Sequence, residues 1–165
     1  MTDHGRKPAR WAIDLNAILD VTHAAQRFPV PVEALALDYS RPKFPADPLV
    51  AIDGRPIRKF EGALYSVRER TGWAILYNDA VSDGRRRFTI AHEFGHYLMH
   101  RRLHPNGFEC GEADVTFRDG RDMEKEADTF AAYLLMPFND LRARLPAESV
   151  PKLDELGALA ARYGV

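Results

Sequence analysis

The chain has 165 residues, 45% hydrophobic and 28% charged, enough for one compact domain with a sizeable core and too few for two full ones. Lys plus Arg number 23 and Asp plus Glu 24, a formal net charge of −1, which excludes strong bulk attraction to nucleic acid and leaves only a local patch. The lone cysteine, Cys110, excludes a disulfide framework and fits a reducing compartment, while no run approaches the ~18 apolar residues of a membrane span.

Residues 1–9 read as loose chain, with no apolar run and cleavage site of a signal peptide; the expected location is the cytoplasm. From Trp11 to Val21, Trp11, Leu15, Ile18 and Leu19 recur at helical spacing. Phe28-Pro29-Val30-Pro31 breaks that helix, and Pro31 suits the first position of a short second helix over 31–38. The proline-rich stretch 40–58 reads as irregular, with one short strand at Leu49–Ile52. Gly62–Arg68 and Gly72–Tyr77 are β-like runs joined by Glu69-Arg70-Thr71, a hairpin. A helix starts at Ser82 or Asp83, either of which can cap it, and ends before Pro105. Residues 105–121, with three glycines, read as a loop. Asp122 can cap a further helix that Pro137 stops, and two short helices follow, over 138–144 and 151–163. One domain over 1–165 is expected, α+β in class, mainly helical with a small antiparallel sheet.

Four of the six histidines, His92, His96, His100 and His104, fall within thirteen residues. Histidine is the commonest metal ligand. Residues 92–96 read HEFGH, an H-E-x-x-H pattern. Two histidines at i and i+4 leave one helix face and can grip one zinc ion. The glutamate beside the first can take a proton from water activated by that ion. At about 100° per residue, His92, His96, His100 and Glu93 form one polar flank beside the apolar Ala91, Gly95, Leu98 and Met99. Gly95 costs about 1 kcal/mol of helix stability relative to alanine, which close approach of another backbone would explain.

A catalytic zinc site has three protein ligands and one open position. Candidates for the third are His100, His104, Cys110, Glu109, Glu112, Glu124 and Glu126. Ligands at i, i+4 and i+8 of one straight helix lie in a row and cannot converge on a small ion, so another element must supply the third. In the helix from 123, Ala127, Phe130, Ala131, Leu134 and Leu135 define the buried arc. Glu124 lies inside it, Asp128 at its edge, and Glu126 outside it beside Tyr133. An inward carboxylate needs a strong partner, which favours Glu124 as ligand. Asp128 could then hold the free ring nitrogen of a ligating histidine. Glu126 stays open as an alternative ligand, although an acidic first turn also complements the helix dipole.

The segments RRRFTIAHEFGHYLMH (85–100) and MEKEADTFAAYLLMP (123–137), with PVPVEALA (29–36) and the hairpin runs 61–67 and 72–78, resemble the ImmA/IrrE-type metallopeptidases. The resemblance covers about 29–137. It implies a zincin-like fold and a cytoplasmic bacterial or phage zinc endopeptidase that cleaves helix-turn-helix repressors or antitoxin-like partners, in stress responses or mobile elements. By position it implies His92 and His96 as zinc histidines, Glu93 as catalytic base and Glu124 as acidic ligand. Asp128 stands where that family often has asparagine, and no appended DNA-binding or sensor domain is seen.

The expected chemistry is peptide hydrolysis. Tyr97, Tyr133, Arg118 and His104 are candidates for a second oxyanion donor, and the hairpin edge could take substrate as an added strand. The rival from another class is a non-catalytic, zinc-containing binding module, such as a toxin–antitoxin component. Arg85-Arg86-Arg87 is either a solvated turn or a site for an acidic substrate segment, and no direct contact with nucleic acid is expected. Cys110, between the two motif helices, could block the ion as a thiolate.

Overall fold

The computed structural model describes residues 5–67, 71–103, 107–110 (backbone), 122–146 and 150–165. In chain order the elements are α1 (Pro8–Thr22), a 3-10 turn (Ala24–Gln26), α2 (Val32–Lys43), β1 (Leu49–Arg55), β2 (Gly62–Val67), β3 (Gly72–Asn78), α3 (Asp83–Met99), β4 (Gly107–Cys110), α4 (Met123–Leu135), α5 (Phe138–Arg144) and α6 (Leu153–Tyr163). The class is α+β and mainly helical. No helix among the described residues is long and apolar enough to cross a membrane.

The sheet differs from the expected antiparallel one. Its order is β1-β3-β2-β4. The hairpin forms, with Leu64 opposite Ile75 and Val67 opposite Gly72. β1, however, runs parallel to β3, with Ile52 opposite Ile75, so the sheet is mixed. This pairing skips over β2 and has no local signature in the chain. A fourth strand, β4, comes from the stretch expected to be a loop, and it pairs antiparallel with β2, Gly62 opposite Cys110. It is only four residues long and flanked by glycine, which hides it from pattern reading.

The helix ends follow local chemistry. Proline needs no intrahelical donor at N1, and α1 accordingly starts at Pro8, inside the segment expected to be loose. Trp11, Leu15 and Leu19 are buried, while Ile18 is 40% exposed and Asn16 takes the inward place. α2 runs five residues beyond its expected end and holds Pro42 in its last turn. Its Ser40 hydroxyl donates to Leu37 O at 3.1 Å and accepts from Leu49 N–H at 3.1 Å, tying the helix to the start of β1. Ser82 caps α3, its hydroxyl accepting from Arg85 N–H at 3.4 Å. The helix stops at Met99, earlier than Pro105 alone would require. The guanidinium of Arg101 explains the stop, donating to the carbonyls of Tyr97 (2.8 Å) and Leu98 (3.4 Å), which the last turn leaves unsatisfied. Arg101 is itself held by Asp47 at 2.8 Å and lies over the rings of Phe44 and Tyr97.

α3 is the middle layer. The sheet packs on one side of it, α4 on the other, and α1 covers α4. Leu64 and Ile75 of the sheet, Ile90, Phe94 and Tyr97 of α3, and Phe130 and Leu134 of α4 are fully buried with Trp11 and Leu15 of α1. Each large apolar side chain removed from water contributes about 1.5–3 kcal/mol, so α3 is fixed from both faces. Gly95 lies where α3 meets α4. A Cβ there would stand 2.9 Å from Phe130 Cδ1 and 3.3 Å from Ala127 Cα, and the expected close backbone approach is found.

Candidate metal centre

The buried stretch of α3 presents its polar flank toward the first turns of α4. His92 and His96 are one turn apart, and their Nε2 atoms lie 3.0 Å from each other. Asp122 caps α4 by accepting from Lys125 N–H at 3.0 Å, which fixes the first turn and so the direction of Glu124. The Glu124 carboxylate reaches back to α3, with Oε2 at 3.2 Å from His92 Nε2 and Oε1 at 3.3 Å from His96 Nε2. Ligand atoms of these three residues all lie within 4.8 Å of one another.

This spacing suits a metal ion. Donors at about 2.0–2.1 Å from a tetrahedral zinc stand roughly 3.3 Å apart, close to the three separations here. Two imidazole nitrogens and one carboxylate oxygen also match the donor set of open zinc sites. Among the described residues this is the one group of three or more such side chains arranged for a metal.

Each imidazole is held from behind. His92 Nδ1–H donates to Asp128 Oδ1 at 2.8 Å, the placement the helix wheel suggested for Asp128. His96 Nδ1 lies 3.0 Å from His100 Nδ1, and His100 Nε2–H donates to Glu126 Oε2 at 2.9 Å. Glu126 therefore faces His100 and stands apart from the His92–His96–Glu124 group. Sequence reasoning missed the His100–Glu126 pair. Its signal was present in part, since His100 shares the polar flank of α3, but the wheel of α4 put Glu126 outside the buried arc.

Burial and charge act differently on the two central imidazoles. Burial depresses His92, but its hydrogen bond to Glu124 and the charges of Glu93, Glu124 and Asp128 outweigh it and leave its pKa raised. For His96 burial dominates, helped by the neighbouring His92 and His100 and opposed by Glu124, and the pKa falls to about 4. His96 is thus neutral at physiological pH, with a lone pair available. Hydrogen bonds from His92 and His96 hold the Glu124 carboxyl well below the usual carboxylate range, against the effect of its partial burial.

Glu93 is fully buried and lines a pocket with Glu61, Gly62, Phe88, Thr89, His92, Glu124 and Asp128. Gly62, at the start of β2, makes room for it. A Cβ on Gly62 would stand 2.8 Å from Glu93 Oε1 and 2.5 Å from Thr89 Cγ2. This glycine escaped sequence reading because the space it leaves belongs to a different element.

Two of the expected oxyanion donors lie elsewhere. Tyr97 is buried in the core, its hydroxyl donating to Asp47 O at 2.9 Å, and burial raises its pKa. Tyr133 lines a separate groove with Ile13, Asn16 and Phe138, between α1 and α5. His104 and Arg118 lie outside the described residues, as does the candidate ligand Glu112, and Glu109 and Cys110 are described only by the backbone of β4. The three consecutive arginines all have partners within the chain. Arg85 pairs with Glu61 at the pocket, Arg86 with Asp83 at 3.1 Å, and Arg87 donates to Val30 O at 2.6 Å.

Compared with known proteins, residues 52–165 match the family model Peptidase_M78, described as the IrrE N-terminal-like domain. The match takes in most of β1 and everything after it, including both motif helices, and leaves out α1 and α2. None of the curated proteins compared with the chain matches it.

Proposed function

Because the chain belongs to the IrrE N-terminal-like peptidase family, we propose that it is a zinc-dependent endopeptidase acting in the cytoplasm on a helix-turn-helix repressor or antitoxin-like protein. The observation that carries this reading is the convergence of His92 Nε2, His96 Nε2 and a Glu124 oxygen beside the buried carboxylate of Glu93. His92, His96 and Glu124 would hold the ion. A zinc ion bound there supplies Lewis acidity to a peptide carbonyl and lowers the pKa of water toward ~7.

Glu93 takes the proton of the attacking water and returns it to the leaving amine nitrogen. Gly62 keeps that carboxylate in place by leaving it room. Asp128 orients His92 through its Nδ1–H. The pocket measures about 190 Å³, far smaller than any folded domain. A folded domain cannot enter it, so the substrate reaches the site as an extended segment. β4 already pairs with the outer side of β2, so the hairpin edge suggested by the sequence is occupied. An added substrate strand would lie along β4 instead.

The test is incubation of the purified protein with helix-turn-helix proteins, starting with any that a neighbouring gene encodes, with zinc or with a chelator. Cleavage is expected with zinc and is lost on chelation. Glu93→Gln should keep zinc and fold and lose cleavage by about 10²-fold or more. Undiminished cleavage by that variant overturns the mechanism. Loss of cleavage with full retention of the cellular phenotype would instead favour the non-catalytic binding module.

A further inference from the structure

Behind His96 stand two side chains, His100 and Glu126, that lie outside the ligand group. His96 Nδ1 is 3.0 Å from His100 Nδ1, and His100 Nε2 is 2.9 Å from Glu126 Oε2. His96 and His100 are both fully buried, so water does not compete between them, while Glu126 closes the line at its solvent end with a side chain 34% exposed. We propose that His100 and Glu126 are positioning residues that fix the tautomer and ring orientation of His96 for metal binding.

The proton inventory argues for this. An ionised carboxylate only accepts hydrogen bonds. Glu126 therefore draws the hydrogen of His100 onto Nε2. With its hydrogen engaged at Nε2, His100 can act as the acceptor at Nδ1. The 3.0 Å contact between the two Nδ1 atoms needs one hydrogen, and His96 must supply it. With a hydrogen held on Nδ1, His96 would offer Nε2 to an ion in place of its contacts with His92 and Glu124. The same result is reached at His92 with one step fewer, since Asp128 takes its Nδ1–H directly. The two imidazoles are thus oriented by carboxylates of one helix, one directly and one through an intervening histidine. Partners of this kind are worth about 10- to 100-fold in metal affinity.

The inference rests on the metal-centre reading above, and its test separates the two. Zinc affinity would be measured by competition with a chromogenic chelator, beside the thermal midpoint of the metal-free protein. His96→Ala should abolish tight binding; if it does not, the metal-centre reading fails and takes this one with it. With that control in place, His100→Leu, which fills the buried volume and removes the acceptor, should weaken zinc binding about tenfold or more. His100→Asn, which can restore an acceptor near Nδ1, should recover most of the loss. Glu126→Gln keeps an oxygen for His100 Nε2–H and should change affinity less than Glu126→Ala. Wild-type affinity in a folded His100→Leu protein overturns the proposal. So does equal loss in the Leu and Asn variants, which would mark a packing role alone.

Discussion

At the scale of single residues, spacing on a helix fixes direction. The i, i+4 separation of His92 and His96 and the inward place of Glu124 on its own helix were legible for that reason, and the structure brings these three side chains together. Asp128 at the edge of the arc was legible on the same basis. Gly62 and the His100–Glu126 pair were not, because each acts across two elements whose relative placement no local pattern encodes. Two predictions belong here. Gly62→Ala pushes a methyl against Glu93 Oε1, and a displacement of about 1 Å at a catalytic group can cost 10²-fold. Peptidase activity should fall by that order while zinc affinity changes little, read by activity assay and chelator competition. Asp128→Asn keeps an oxygen that can accept from His92 Nδ1–H, so zinc affinity should drop less than tenfold. Asp128→Ala should lose about 10- to 100-fold.

At the scale of elements, the helices were read with sound boundaries where a cap or a proline marks them, as at Ser82, Asp122 and Pro137. α3 ended earlier than its sequence suggested because Arg101, by folding back on the last turn, satisfies carbonyls that continued helix would have used. The strand β4 and the parallel β1–β3 pairing were illegible, since both depend on which strands meet. Gly95 signalled a close approach to α3 by another backbone without identifying it, and the structure shows that neighbour to be α4. Replacing Gly95 with valine would drive a branched side chain toward Ala127 Cα and the Phe130 ring. Overpacking of this kind costs typically 1–3 kcal/mol, and Gly95→Val should lose about 3 kcal/mol in urea unfolding of the metal-free protein. Zinc affinity should fall with it, because the same contact spaces the histidines from Glu124.

At the scale of the whole molecule, the C-terminal helices are tied by Asp140. Its carboxylate accepts from Arg162 at 3.0 Å, Arg144 at 3.1 Å and the Tyr163 hydroxyl at 2.7 Å. Tyr163 in turn meets Phe28 edge to face, so the cluster anchors α5 and α6 to the segment before α2. Partial burial alone would raise the Asp140 pKa, but the hydrogen bonds from Arg162, Arg144 and Tyr163 outweigh it and depress it strongly. A carboxyl with a depressed folded-state pKa stabilises the fold above its unfolded pKa, here the ordinary 3.8. That stability is lost as pH falls from there toward the folded value. The acid limb of unfolding should therefore be steeper in the wild type than in Asp140→Asn below about pH 4, with the variant less stable at neutral pH. Coincident acid limbs would sink the assignment.

The layering of α3 between sheet and α4 also sets how the metal comes and goes. His96 is 0% exposed and His92 nearly so, while the Glu124 side chain is 45% exposed. The histidines are held on a helix packed on both faces, while the carboxylate, though turned toward α3, stays partly open to solvent. Exchange of the ion should then begin with release of Glu124, whereas the imidazoles stay in place. A chelator will meet the site on that side first. In stopped-flow removal of zinc, Glu124→Ala should accelerate dissociation more than a change at the buried His100, even where both lower equilibrium affinity by a similar factor. What looks in equilibrium terms like one ligand of three is, in the kinetics of metal exchange, the gate.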